Sequence, residues 1–301
     1  MSATLIAVVL TLVLGHTVPS LASLRRLDWL LDWRRYVGGL GENDGALRGR
    51  AGLALILTLP VLLIGLLQIS LRDPLYGLPG FGFAVLMLFY CWGPRDLDLD
   101  VERVVDAADA QGKRDAAGVF LPAGAVGSSN GAILDGPALV EGIFDGALRR
   151  WFGPLFWFLL FGPAAALLYR ISAVLALDET HADMPPEQRE SARWVLRVLD
   201  WPVAQLMTLA LALVAHFDAV LGAWRAWHAG GMRLDTGFLG AAARASVEFE
   251  IAEDEAYATD GTSALAAPAL LELRDAMSLI WRMLLLWLAV LALFVIAGFV
   301  R

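Results

Sequence analysis

The chain has 301 residues, 58% of them hydrophobic, with 11 Trp, a mean hydropathy of +0.63 and a formal net charge of −8. A soluble domain carries about 45–50% apolar residues; here the excess falls in blocks between charged stretches, the pattern of an integral membrane protein rather than of a soluble helical one. The negative balance gives no electrostatic support to a nucleic-acid partner, the one cysteine, Cys91, leaves no intramolecular disulfide, and the separated histidines (His16, His181, His216, His228) make no metal pattern.

Residues 3–18 are apolar, interrupted by Gly15 and His16. With no Lys or Arg before them and no small-residue cleavage site after, they read as a short or tilted first membrane helix rather than a cleaved signal peptide. "SLRRLDWLLDWRRY" (23–36) places Leu24, Leu27, Leu30 and Leu31 on one side of a helix and Trp29, Trp33 and Tyr36 on another. That composition suits an anchor at a membrane surface. Ala51–Leu71 holds 21 residues without a charge, enough at ~1.5 Å per residue to span a hydrocarbon core of about 30 Å. Arg72-Asp73-Pro74 reads as a tight turn and Leu75–Pro94 as a second uncharged stretch, so the two blocks read as a transmembrane hairpin.

Residues 95–150 are polar. "DLDLDVERVVDAADAQ" (96–111) opens with alternation and passes into a helical pattern on Val101, Val104, Val105 and Ala108. The Gly- and Ser-rich stretch after it is loop-like, and a helix restarts near Pro137, a residue suited to a first turn. Trp151–Leu177 has Arg170 as its only charge and contains Gly153-Pro154 and Gly162-Pro163. It fits either one long kinked helix or two short helices forming a re-entrant pair. Residues 178–200 are polar, with a helix starting at Pro185-Pro186. Residues 201–217 form a further membrane helix with an amphipathic extension to Trp227. The segment 228–282 is polar, and its "EFEIAEDEAYATDGTS" reads as an acidic loop; Met283–Val300 is a terminal span before Arg301. The arginines of the segment between the first two spans and the basic residues of 95–150 fall on one side of the hairpin, the cytoplasm by the positive-inside rule.

The residues able to carry chemistry lie beside the apolar blocks. Glu141, Asp145 and Arg149 are spaced four apart on one helix face. Two carboxylates there suit a divalent cation, a substrate-held Mg²⁺, or an acid–base pair; the plainer reading is a solvated face with one ion pair. Arg189, Arg193 and Arg197 share a face and, with Arg170, suit a phosphate or an anionic lipid head group, or serve as an anchor beside the membrane. Asp200 stands just before Trp201-Pro202, where its position suggests the N-cap of the next span. Walker A, G-x-S-x-G and H-E-x-x-H sequences are absent, and no pattern names a cofactor or a metal.

"EGIFDGALRRWFGPLFWFLLFGPAAALLYR" (141–170), followed by "ESARWVLRVLDWPVAQLMTLALAL" (190–213), resembles the AmpE family of inner-membrane proteins, whose gene commonly accompanies that of the AmpD amidase. "PLFW" (154–157) and "VLDWPVAQL" (198–206) are the most specific parts. The resemblance implies a multi-pass bacterial inner-membrane modulator in the signalling that links cell-wall recycling to β-lactamase induction. It would act by binding a cell-wall-derived or phosphate-bearing ligand, or an unidentified protein partner, in the lipid bilayer. AmpE in turn looks like a distant relative of the CobD/CbiB proteins, which form an amide bond in cobalamin synthesis. Glu141 and Asp145 match that family's acidic helix. Leu196-Arg197 replaces its paired aspartates, Asp200 stands at its Asn position and Gln205 at its Arg position. An enzyme of that kind is the alternative. One site served by both polar motifs requires 95–150 and 178–200 on one side, which favours the re-entrant form of 151–177.

The expected fold is therefore all-α: a polytopic helical membrane protein with polar helical loops and a re-entrant pair. Its expected divisions are an N-terminal membrane region with interfacial helix and hairpin (1–94), a polar cytoplasmic segment (95–150), a membrane core holding the polar loop 178–200 (151–227), and a polar segment with the terminal helix (228–301).

Overall fold

A computed structural model describes residues 2–17, 25, 27–40, 49–71, 78–93, 97–121, 135–177, 184–231, 233–257 and 268–297. Every regular element among them is helical: α1 (Ser2–Thr17), α2 (Asp28–Leu40), α3 (Arg50–Ser70), α4 (Leu78–Cys91), α5 (Leu97–Asp106), α6 (Ala110–Ala117), α7 (Gly136–Ala147), a π-helical turn (Leu148–Phe152), α8 (Gly153–Phe161), α9 (Pro163–Leu177), α10 (Pro186–Val214), α11 (Phe217–His228), α12 (Gly237–Tyr257) and α13 (Pro268–Ile296). The all-α expectation holds for these residues. Three stretches, Arg50–Ser70, Pro186–Val214 and Leu270–Ile296, are long and apolar enough to cross a membrane. The expected turn at Arg72-Asp73-Pro74 and most of the Gly/Ser loop lie outside the described residues.

The chain divides into two compact units. The first comprises Met1–Pro94, Arg149–Asp200 and Phe294–Arg301; the second comprises Arg95–Leu148 and Trp201–Leu293.

In the first unit α9 is the central helix, because α3, α4 and α8 all pack on it. α3 packs mainly on α9, whereas α4 packs mainly on α1 and also on α9 and α8. α3 exposes Leu62, Leu63, Leu66 and Ile69, a face suited to lipid. Its Pro60 has no N–H to offer the carbonyl of Ile56. The Trp33 indole of α2 donates to that oxygen at 3.3 Å, so a side chain from a neighbouring helix supplies the missing donor. Trp29 of the same helix donates to the Tyr90 hydroxyl at 2.6 Å, while Leu30, Arg34 and Val37 form the buried face. The helix expected as a surface anchor is therefore also a packed part of the unit.

The run 151–177 is broken at Gly162. Its φ of +84° lies in the left-handed region that glycine enters without a Cβ penalty, and it separates α8 from α9. The two helices then pack along each other. Gly153 faces the Tyr169 ring so closely that an added Cβ would collide with Cζ. The turn's backbone is served by Gln68 of α3: its Nε2 donates to the Phe161 carbonyl at 3.3 Å and its Oε1 accepts from the Ala164 N–H at 3.1 Å. The run 151–177 thus holds two short helices, α8 and α9, rather than one continuous helix.

In the second unit α7 starts on its predicted signals, with Asp135 capping the Ala138 N–H at 3.4 Å and Pro in the first turn. It packs on α12. α5 is helical from Leu97, so the opening alternation of 96–111 does not persist as extended chain; Leu97, Asp100, Val101 and Val104 form its buried face. The stretch read as an acidic loop is helical through Tyr257. Glu and Ala are strong helix formers, and Glu250 is held by Arg282 of α13 at 2.9 Å. α11 packs on α12 through His228, which lies 4.4 Å from Trp224 and 5.2 Å from Phe238 between ring centroids. α13 starts at Pro268, well before the expected Met283, and Trp281 fastens it to Asp98 at 3.0 Å.

Candidate functional site

Asp200 is the centre of the first unit's polar interior. It does not cap a helix: α10 begins at Pro186 and runs through it, so the capping expectation is corrected. The side chain is 3% exposed. Tyr169 donates its hydroxyl to Oδ1 at 2.6 Å, and Arg149 Nε lies 3.7 Å from Oδ2. A carboxylate removed from water needs partners of this kind. Arg170, next to Tyr169 on α9, is itself buried, and its charge acts on Tyr90, Cys91 and Tyr169. Beside this cluster the Trp157 indole donates to the Leu199 carbonyl at 3.2 Å, tying α8 to α10. The helix break, the close approach at Gly153 and this tie together place one carboxylate, one phenol and two guanidiniums in a common region of the unit.

Arg149 stands in the π-helical turn Leu148–Phe152 that follows α7, and its Nε lies 3.7 Å from Asp200 Oδ2. Glu141 forms its ion pair with Arg244 of α12, Nε to Oε1 at 2.9 Å. That contact depends on Gly240, where an added Cβ would come within 2.9 Å of Glu141 Cγ. Asp145 is half-buried one turn further along α7. Among the described residues no three His, Cys, Asp or Glu side chains are grouped to hold a metal ion.

The three arginines of α10 divide. Arg193 and Arg197 are exposed, and Arg197 Nε donates to the Arg193 carbonyl at 3.4 Å. Arg189 is half-buried, with Nε closed off from solvent and without a hydrogen-bond partner. Gln205 accepts from the Trp224 indole at 3.0 Å in the second unit. Tyr169 is inconspicuous in the sequence because it lies in an apolar run. The cue to it is the polar pair Tyr169-Arg170 inside that run, where a buried hydroxyl and a buried guanidinium both call for partners.

The chain matches no protein-family model, no curated protein and no solved structure.

Proposed function

We propose that the protein is an AmpE-like membrane modulator of the inner membrane, acting in the signalling that joins cell-wall recycling to β-lactamase induction by binding a ligand or a protein partner. The observation carrying this reading is the buried Asp200, held by Tyr169 at 2.6 Å and Arg149 at 3.7 Å. A charged cluster inside a predominantly apolar helical unit is costly to maintain and marks a functional position. It falls on the two sequence blocks that carry the AmpE resemblance, 141–170 and 190–213. The positions where the amide-forming relatives carry paired aspartates hold a buried Leu196 and an exposed Arg197, which favours binding over that reaction.

The test is deletion of the gene in its host, with β-lactamase activity measured with and without an inducing β-lactam. Deletion should change the induction ratio and the wild-type gene should restore it. Asp200→Asn, present in the membrane at the same level, should fail to restore it. An induction ratio unaffected by deletion would overturn the reading. Thermal unfolding of the purified protein with muropeptides, nucleotides, Mg²⁺ and corrinoids then identifies the ligand class, since a ligand of the folded state raises the melting temperature.

A further inference from the structure

The first unit carries its own depth scale. Arg50, at the start of α3, lies 3.9 Å from Glu187 at the start of α10. Near the other end of α3, Gln68 holds the Gly162 turn. Between these markers, Tyr169 of α9 meets Asp200 of α10. From Arg50 to Gln68 the rise along α3 is about 27 Å. The alternative path runs about 20 Å along α10 from Glu187 to Asp200 and about 10 Å along α9 from Tyr169 back to Gly162. The two paths agree within about 3 Å, as they do when the three helices run side by side. Residues 187–200 therefore lie alongside the uncharged run of α3, which faces outward with Leu62, Leu63 and Leu66.

Arg193 and Arg197 are on that stretch, roughly 9 and 15 Å inward from Glu187. Both are exposed, with Trp194 (56% exposed) between them. Neither guanidinium is ion-paired among the described residues. On the same stretch Gln188, Ala192, Leu196 and Asp200 are buried, while Arg193, Trp194 and Arg197 are exposed. A guanidinium at hydrocarbon depth is costly unless it reaches an anion or water. The unit's charge is consistent with an anionic occupant: over its full span the sequence carries fourteen arginines and eleven aspartates or glutamates, in a chain whose net charge is −8.

We infer that Arg193, Trp194 and Arg197 form a seat for the phosphate-bearing head group of an anionic membrane lipid. Arginine binds phosphate through paired N–H donors, and the exposed indole between the two arginines carries one further N–H donor. The lipid phosphate is drawn inward along this stretch of α10. This inference does not depend on the role in β-lactamase induction.

The experiment is native mass spectrometry of the full chain released from nanodiscs of equal phosphatidylcholine and phosphatidylglycerol. Wild-type protein should carry phosphatidylglycerol in excess. Arg193→Gln/Arg197→Gln should lower that excess by up to about 30-fold, from about tenfold per 1.4 kcal/mol and the usual worth of two basic residues at an anionic surface. Arg193→Lys/Arg197→Lys should keep part of it, and Arg225→Gln, in the second unit, all of it. No excess in the wild type overturns the inference whatever the variants do, and so does an unchanged excess in the Gln variant. If inorganic phosphate raises the melting temperature in phosphatidylcholine nanodiscs as much as phosphatidylglycerol does, the seat binds free anions and the lipid assignment fails.

Discussion

Asp200 makes the strongest demand on its surroundings. Its two carboxylate oxygens are divided between a phenol and a guanidinium from different segments, and removing one member leaves the others buried and under-satisfied. Tyr169→Phe should lower stability by about 1–2 kcal/mol, the cost of one buried acceptor losing its donor. Asp200→Ala should cost more, about 3 kcal/mol, because two interactions, one with Arg149 and one with the Tyr169 hydroxyl, are lost together. Thermal or denaturant unfolding in detergent would check the order; equal small effects would mean that water reaches the cluster. None of these pairings is readable from the chain. Asp200 has the position of a cap because it precedes Trp201-Pro202, but α10 simply continues through Pro202.

At the scale of elements, the glycines distinguish close approach from mere flexibility. Gly153 lies against the Tyr169 ring, whereas Gly65 in α3 has only the Ala164 Cβ at 3.8 Å, an ordinary contact. Gly153→Ala should therefore cost about 2–3 kcal/mol by forcing α8 from α9. Gly65→Ala should be neutral or stabilising by up to about 1 kcal/mol, as expected for glycine inside a helix. Melting temperatures of the two variants provide the comparison, and a destabilised Gly65→Ala with a tolerated Gly153→Ala would contradict the packing described. Much of this scale is legible in the sequence. Gly162-Pro163 marks the break, Pro137 the start of α7, and the uncharged run 51–71 the extent of α3. The helical acidic end of α12 is not, because its Glu-rich composition favours helix and exposed chain equally until Arg282 is placed beside Glu250.

For the molecule as a whole, charge and connectivity separate. Over their full spans the second unit carries nine Lys or Arg and twenty Asp or Glu, against fourteen and eleven in the first. The basic residues thus gather in the unit that contains the short helix pair. Because that pair turns back at Gly162 and Arg50 meets Glu187, the starts of α3 and α10 should share one side of the membrane. In a Cys91→Ala background, Arg50→Cys and Glu190→Cys should react with a membrane-impermeant thiol reagent from the same face of sealed vesicles, and Leu71→Cys from the other. Labelling of Arg50→Cys and Glu190→Cys from opposite faces would show that 151–177 crosses the membrane.

The chain by itself determined that this protein is helical, where its apolar runs lie, and where Gly and Pro interrupt them. Those features depend on local sterics and on periodic burial, which neighbouring residues encode. Only the tertiary structure decided the partners: the Trp33 indole on the carbonyl left free by Pro60, the Gln68 amide at the Gly162 turn, Glu141 with Arg244, and Arg149 with Asp200. Each joins residues distant in sequence, and a periodic pattern records that a polar group is buried without recording which distant group satisfies it.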